Sequence, residues 1–200
     1  MEYQDIVDAA TAYADRNDVE VDKNMDMFII MAEARINRAL NIAEQTHRVY
    51  TSANGGKFYT LPNDYNGMRI IQHKVGDKVS VINYVPPSQI NDTKTGRLNY
   101  TIINNQIQLS TEINDSLIEM VFYRKVPHLN PKNENNWVSD NHPDIYLCGL
   151  CTEIELFVKN YEAADIWNAR MTDAINSIGE NDIATQWAGS PLVIRGDYND

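Results

Sequence analysis

The spacing of apolar residues predicts helices at the start of the chain. From residue 2 to about residue 46, apolar positions recur at intervals of three and four, which is typical of an amphipathic α-helix. The first helix covers YQDIVDAATAYADR. The second covers MDMFIIMAEARINRALNIAEQTHR, which contains no glycine or proline. We expect it to run from about residue 22 to residue 48, with Asp22 as its N-cap.

The period changes to two between about residues 48 and 126, which predicts β-strands. Strand-like runs lie on either side of three turn signals, Asn54-Gly55-Gly56, Gly76-Asp77 and Asn104-Asn105. Residues 86–91 read as an exposed loop or a helical turn. Five to seven short strands with tight turns of this kind favour antiparallel pairing in a small sandwich or barrel.

Helical spacing returns after the polar link HLNPKNENNW. We expect one helix to be capped by Asn141, entered through Pro143, and to extend to about Asn160. A second helix should run from about Tyr161 and end at Gly179, because glycine commonly terminates helices. The spacing therefore predicts two consecutive helices in this zone.

These three zones together predict an α+β protein. An α-helical bundle would be formed by residues 1–47 and 139–189, and a small antiparallel β domain, residues 48–127, would be inserted into it. Residues 190–200, SPLVIRGDYND, would form an extended tail.

Composition and charge narrow the class of protein. The chain has 200 residues, 43% of them hydrophobic, and a formal net charge of −11. This apolar fraction is that of a globular protein, and the acidity argues against a protein that coats DNA through a basic face. The acidity is compatible with a wall that DNA slides past. The start, MEYQDIVDAA, resembles no signal peptide, and we find no membrane span, so we expect synthesis in the cytoplasm.

The stretch DIYLCGLC holds both cysteines of the chain, Cys148 and Cys151, in a C-x-x-C pattern. A redox pair would place the first cysteine at a helix N-terminus, but Cys148 follows Pro143 by more than a turn. A structural zinc site needs four ligands, and only His128 and His142 are near in sequence. We favour two buried core thiols over a redox or a metal site.

No other pattern in the sequence predicts catalysis or cofactor binding. The histidines lie in different segments, and no Walker A, G-x-S-x-G or G-x-G-x-x-G motif occurs. Glu33 and Glu44, with Arg35 and Arg38, read as a solvated or subunit-facing side of a helix. The residues alone therefore predict no catalytic, cofactor or metal site. The alternatives are a soluble cysteine-dependent enzyme and a monomeric binding module.

Several segments resemble the head–tail adaptor proteins of short-tailed bacteriophages. The most specific are AEARINR, the L-P-x-D-Y step in YTLPNDYNGMRII, and H-P-D-x-Y-L at the start of NHPDIYLCGLCTEIELFVKNYEAADIW. The closing WAGSPLVIRG is also similar, and the resemblance covers most of the chain.

The resemblance implies a structural virion protein located in the neck or tail of the particle. Such proteins join a helical bundle to a small β domain and form homo-oligomeric rings, commonly of twelve, beneath the portal protein. They extend the DNA channel without reading its sequence, and they bind a tail or nozzle protein. They serve genome ejection and are not enzymes.

Two groups of residues are candidates for partner binding. Arg35 and Arg38 lie nearly one turn apart and could reach the same acidic neighbour, or they could form intramolecular pairs with Glu33, Glu44 or another carboxylate. In the tail, an apolar run bounded by Pro191 and Gly196 should dock against the portal or a neighbouring subunit, unless it folds back as an internal strand. The tail candidates are Pro191, Leu192, Val193, Ile194 and Arg195.

Overall fold

A computed structural model describes the backbone of residues 1–91 and 97–187, and the side chains of these residues up to residue 182. The chain divides into two compact units. Met1–Ala43 and His128–Asp200 form a helical unit, and Glu44–Pro127 forms a β unit. The α+β class predicted from the sequence is confirmed.

The described part of the helical unit contains five α-helices. Helix α4 packs against each of the other four, so it is the central element of this unit. The bundle arrangement itself stays a prediction. The helices are α1 Tyr3–Tyr13, α2 Val19–Ala39, α3 Trp137–Asn141, α4 Pro143–Phe157 and α5 Tyr161–Trp187.

The predicted bounds of α2 are wrong at both ends. The N-cap is Asp18, whose carboxylate accepts the Val21 N–H at 3.2 Å, so Asp22 lies inside the first turn. At the other end Leu40 is extended, with ψ of 133°, and the chain enters a strand at Thr46. Residues 19–21, which the predicted bounds left out, are therefore helical, and the last predicted turns are not.

The predicted bounds in the C-terminal helices also change. Asn141 is the last residue of α3, and the N-cap of α4 is His142. The short helix α3 exists because Asn136 and Ser139 cap it reciprocally. Gly179 does not end α5, which continues to Trp187, and its φ is not positive as a terminating glycine would require.

Seven strands form one curled, mixed sheet in the order β1-β7-β3-β4-β5-β6-β2. Antiparallel pairing was the wrong expectation for β4 and β5, which are parallel, with Asn83 opposite Asn99. The sandwich or barrel arrangement stays a prediction. The strands are β1 Thr46–Ala53, β2 Phe58–Thr60, β3 Tyr65–Val75, β4 Lys78–Tyr84, β5 Asn99–Ile103, β6 Gln106–Leu109 and β7 Ser116–Arg124.

Two of the three turn signals form hairpins. Gly76 and Asp77 join β3 to β4, and Asn104 and Asn105 join β5 to β6. The signal at Asn54-Gly55-Gly56 separates β1 from β2, but these strands pair with β7 and β6 and not with each other. The reason is that the Gly55 N–H, at a φ of 81°, donates to the Ile113 carbonyl at 3.0 Å instead of closing a tight turn. The core of the β unit includes Ile71, Ile82, Ile107, Ile118 and Phe122.

Candidate functional site

Helix α2 has two faces with different environments. Its inner face is buried within the helical unit, where it packs against α4. Its outer face is exposed. The buried residues are Val21, Met25, Phe28, Ile29, Ala32, Glu33 and Ile36.

The inner face carries a buried carboxylate. Glu33 is only 6% exposed, and it accepts three hydrogen bonds. The Leu129 N–H donates at 2.8 Å and the Tyr146 hydroxyl at 2.9 Å, both to Oε1. The His128 Nδ1 lies 2.8 Å from Oε2. A buried charge is tolerated when it is this well hydrogen-bonded, so Glu33 ties α2 both to α4 and to the segment that follows the β unit.

The His128 ring lies between two carboxylates. Its Nε2 is 3.1 Å from Asp26 Oδ1, in addition to the contact between Nδ1 and Glu33. Partial burial alone would lower the pKa of His128. The hydrogen bonds and charges of Glu33 and Asp26 outweigh burial, and the resulting pKa lies above its ordinary value.

Tyr146 connects the carboxylate to the cap of α3. Its hydroxyl donates to Glu33 and accepts from the Asn136 amide at 2.7 Å, while the Asn136 side-chain oxygen caps the first turn of α3. Burial, and next the charge of Glu33, raise the pKa of Tyr146 far above its ordinary value. The phenol therefore stays protonated and acts as a structural donor.

The two candidate arginines of α2, Arg35 and Arg38, differ in their exposure and their contacts. Arg35 lies 2.7 Å from Glu153 on α4 and donates to Asn168 on α5 at 2.8 Å, so it makes the intramolecular pair considered as the alternative. Arg38 is exposed in the last turn of α2. Binding of a partner by either arginine stays a prediction.

The outer face of α2 presents a row of apolar side chains at helical spacing. We call Met27, Ile30 and Met31 the α2 stripe; their exposed fractions are 56%, 44% and 47%. Lys23 and Arg38, both exposed, lie on the same side of the helix toward its two ends. Adjacent exposed apolar side chains with a charged rim are typical of a surface that binds a protein partner.

Both cysteines are buried in α4, as the core interpretation requires. Burial raises the pKa of the Cys148 thiol, with a smaller contribution from Asp144. Burial raises the pKa of Cys151 to about 12, and its Sγ lies 3.8 Å from the Ala10 carbonyl oxygen. Neither sulfur is a thiolate at neutral pH, so neither has the ionisation of a reactive cysteine.

The tail candidates fall outside the described residues. They are Pro191, Leu192, Val193, Ile194 and Arg195. Within the described ranges, no group of three or more histidine, cysteine or acidic side chains could hold a metal ion. The helices in those ranges include none long and apolar enough to cross a membrane.

Glu33 is the residue that sequence reasoning placed wrongly. A glutamate beside two arginines on a helix reads as solvated, yet this one is buried and bonded to Tyr146. The signal was available in its position, because Glu33 directly follows Ala32 and lies four residues after Ile29, within the apolar face of α2.

The family model described as SU10 adaptor protein matches residues 1–195. This match places the chain in the class of bacteriophage structural adaptors. The resemblance of its sequence to head–tail adaptors indicated the same class. The chain belongs to the SU10 adaptor protein family. Membership implies a component of the virion that contacts other phage structural proteins and is not an enzyme. No curated protein matches the chain.

Proposed function

We propose that this adaptor forms a homo-oligomeric ring beneath the portal, extends the DNA channel and joins the capsid to a tail or nozzle protein. The α2 stripe carries this proposal. We infer that a neighbouring copy of the chain covers it, because a closed ring requires each subunit to present two different, complementary faces.

The size of the stripe supports a contact that is shared among many subunits. A fully buried Ile or Met side chain contributes about 1.5–3 kcal/mol relative to an exposed one. The three side chains are about half exposed, so covering them would contribute roughly 2–4 kcal/mol per interface. One such contact is weak for two free subunits, but in a ring every subunit makes it twice.

The charge of the chain suits a channel wall. At a net charge of −11 the surface repels the phosphate backbone, so duplex DNA would pass without adsorbing. The basic residues Lys23 and Arg38 beside the stripe would then serve an acidic neighbouring subunit and not the DNA.

The tail is the proposed contact with the portal. Leu192, Val193 and Ile194 form an apolar run after Pro191, and an extended segment of this kind can add a strand to a partner's sheet. Deletion of residues 190–200 should leave the chain folded and abolish joining to the portal in a co-sedimentation assay. Normal joining by the truncated chain would show that the tail is dispensable.

Glutamate substitutions in the stripe test ring formation. Ile30→Glu, alone or with Met27→Glu, places charge in the proposed interface and should leave monomers when the purified chain is mixed with portal and examined by native mass spectrometry and electron microscopy. Ile166→Glu, at an exposed position of α5, is the matched control and should still assemble. Equal assembly by stripe and control variants would refute the proposed interface.

Charge reversal at the arginines separates partner binding from folding. Arg38→Glu should weaken assembly without changing the melting temperature, because Arg38 is exposed. Arg35→Glu should also lower the melting temperature, because it places two like charges at the Glu153 contact. If Arg38→Glu assembles as the wild type does, Arg38 is not part of the interface.

A further inference from the structure

The crossover from the β unit to α3, residues 128–136, contacts α2 through the carboxylates of Asp26 and Glu33. His128 contacts Glu33 and Asp26 through its two ring nitrogens, and the Leu129 N–H donates to Glu33. The side-chain amides of Asn130 and Asn133 donate to the His128 carbonyl, so the turn that follows is built on this residue. Movement of His128 would therefore release the start of the crossover.

The geometry imposes a requirement on the histidine. An ionised carboxylate only accepts hydrogen bonds, and a neutral imidazole has one N–H donor. The two carboxylates, at 2.8 and 3.1 Å, can both accept a hydrogen bond from the ring only when both ring nitrogens are protonated. A neutral ring would direct a lone pair at either Glu33 or Asp26.

We propose that His128 is a pH-sensitive latch: its cationic form clamps residues 128–136 to α2, and its neutral form releases the Asp26 side of the clamp. This inference does not depend on the proposed ring. It concerns the anchoring of the crossover within a single chain.

The surrounding groups set the direction of the response. Asp26 and Glu33 are the charged groups of α2 that face His128. Tyr146 of α4 donates a hydrogen bond to Glu33. Tyr3 of α1 lies near Asp26, and burial and then the charge of Asp26 raise the pKa of this tyrosine. Because the folded-state pKa of His128 is raised above the ordinary value of about 6.5, the clamp is complete below pH ~6.5 and is lost as pH rises through the folded-state pKa.

Hydrogen–deuterium exchange of the full chain, read by mass spectrometry on the peptide 128–136, tests the latch. After correction for the intrinsic pH dependence of exchange, protection of this peptide should fall about two- to fivefold between pH 6 and pH 9, the amount expected for loss of an ion pair with a largely exposed carboxylate. His128→Gln should show the lower protection throughout, without a step.

Two further variants complete the experiment. Asp26→Asn changes an exposed side chain and should move the step to lower pH, because one of the two stabilising charges is gone. His73→Gln is the matched control, since His73 lies in the β unit and bonds the neutral Ser116 hydroxyl at 2.9 Å; it should retain the wild-type step. Constant protection in the wild type, or an unchanged step in His128→Gln, would overturn the proposal.

Discussion

Replacing either of two glycines of the helical unit by alanine should change the free energy of unfolding, but in opposite directions at the two positions. A Cβ added at Gly149 in α4 would lie 2.9 Å from the Ala32 Cβ on α2 and 3.3 Å from the Met171 Cε. The methionine end can move, but Ala32 has no rotatable side chain, so α2 and α4 would have to separate. A Cβ added at Gly179 in α5 would meet no described atom within 4 Å.

The difference between the two variants measures the cost of placing a Cβ at Gly149, where α2 and α4 approach closely. Alanine is favoured over glycine inside a helix by about 1 kcal/mol, and both positions gain this amount. Overpacking a core costs about 1–3 kcal/mol, and only Gly149→Ala incurs that cost. Gly179→Ala should therefore stabilise the protein by about 0.5–1 kcal/mol, and Gly149→Ala should be less stable than Gly179→Ala by about 1–3 kcal/mol.

Tryptophan fluorescence can follow this unit selectively. All three tryptophans of the chain, at positions 137, 167 and 187, belong to the helical unit. Urea titrations that share a common m-value would give the difference in free energy of unfolding directly from the midpoints. If both variants were stabilised equally, α2 and α4 would not approach closely at Gly149, and the reasoning would be refuted.

Further predictions concern side chains of α4. Tyr146→Phe removes one buried hydrogen bond from Glu33 and one from Asn136, and it should cost about 2–4 kcal/mol by the same assay. The exposed control Tyr161→Phe should stay within about 0.5 kcal/mol. The thiols of Cys148 and Cys151 should react with a thiol reagent at least 100-fold more slowly in the native protein than in urea, because both are buried and protonated. Replacing both with alanine should cost about 1–3 kcal/mol and leave assembly intact; stoichiometric zinc lost in that variant would contradict the structural interpretation.

Periodicity predicted the presence of the long helices and the strands, but it placed several boundaries wrongly. The start of α2 was missed because NDVEVDKN is polar overall, although Val21 within it extends the buried face by one turn. Gly179 was read as a stop signal, but a glycine ends a helix only where the backbone adopts a positive φ, and composition alone does not reveal that.

Long-range pairing was the part that local patterns could not give. The two hairpins around Gly76-Asp77 and Asn104-Asn105 follow from turn chemistry, which acts between neighbours in sequence. The pairing of β1 with β7 and of β2 with β6 joins strands that are far apart in sequence. The parallel contact between β4 and β5 likewise depends on how the sheet curls, which no local segment encodes.

Two residues of the AEARINR motif, Glu33 and Arg35, make contacts on the inner side of α2, whereas the surface proposed for assembly lies on its outer side. Glu33 accepts a hydrogen bond from Tyr146, which belongs to the H-P-D-x-Y-L motif of α4. Arg35 pairs with Glu153, further along the same helix α4. These contacts hold α2 against α4. Changing Glu33 or Arg35 should therefore lower the stability of the fold more than it lowers binding to a neighbouring subunit. The α2 stripe faces away from these contacts, so its side chains can change with little effect on the fold. An adaptor built in this way can keep one internal framework while its outer helix face is adjusted to the neighbour that covers it.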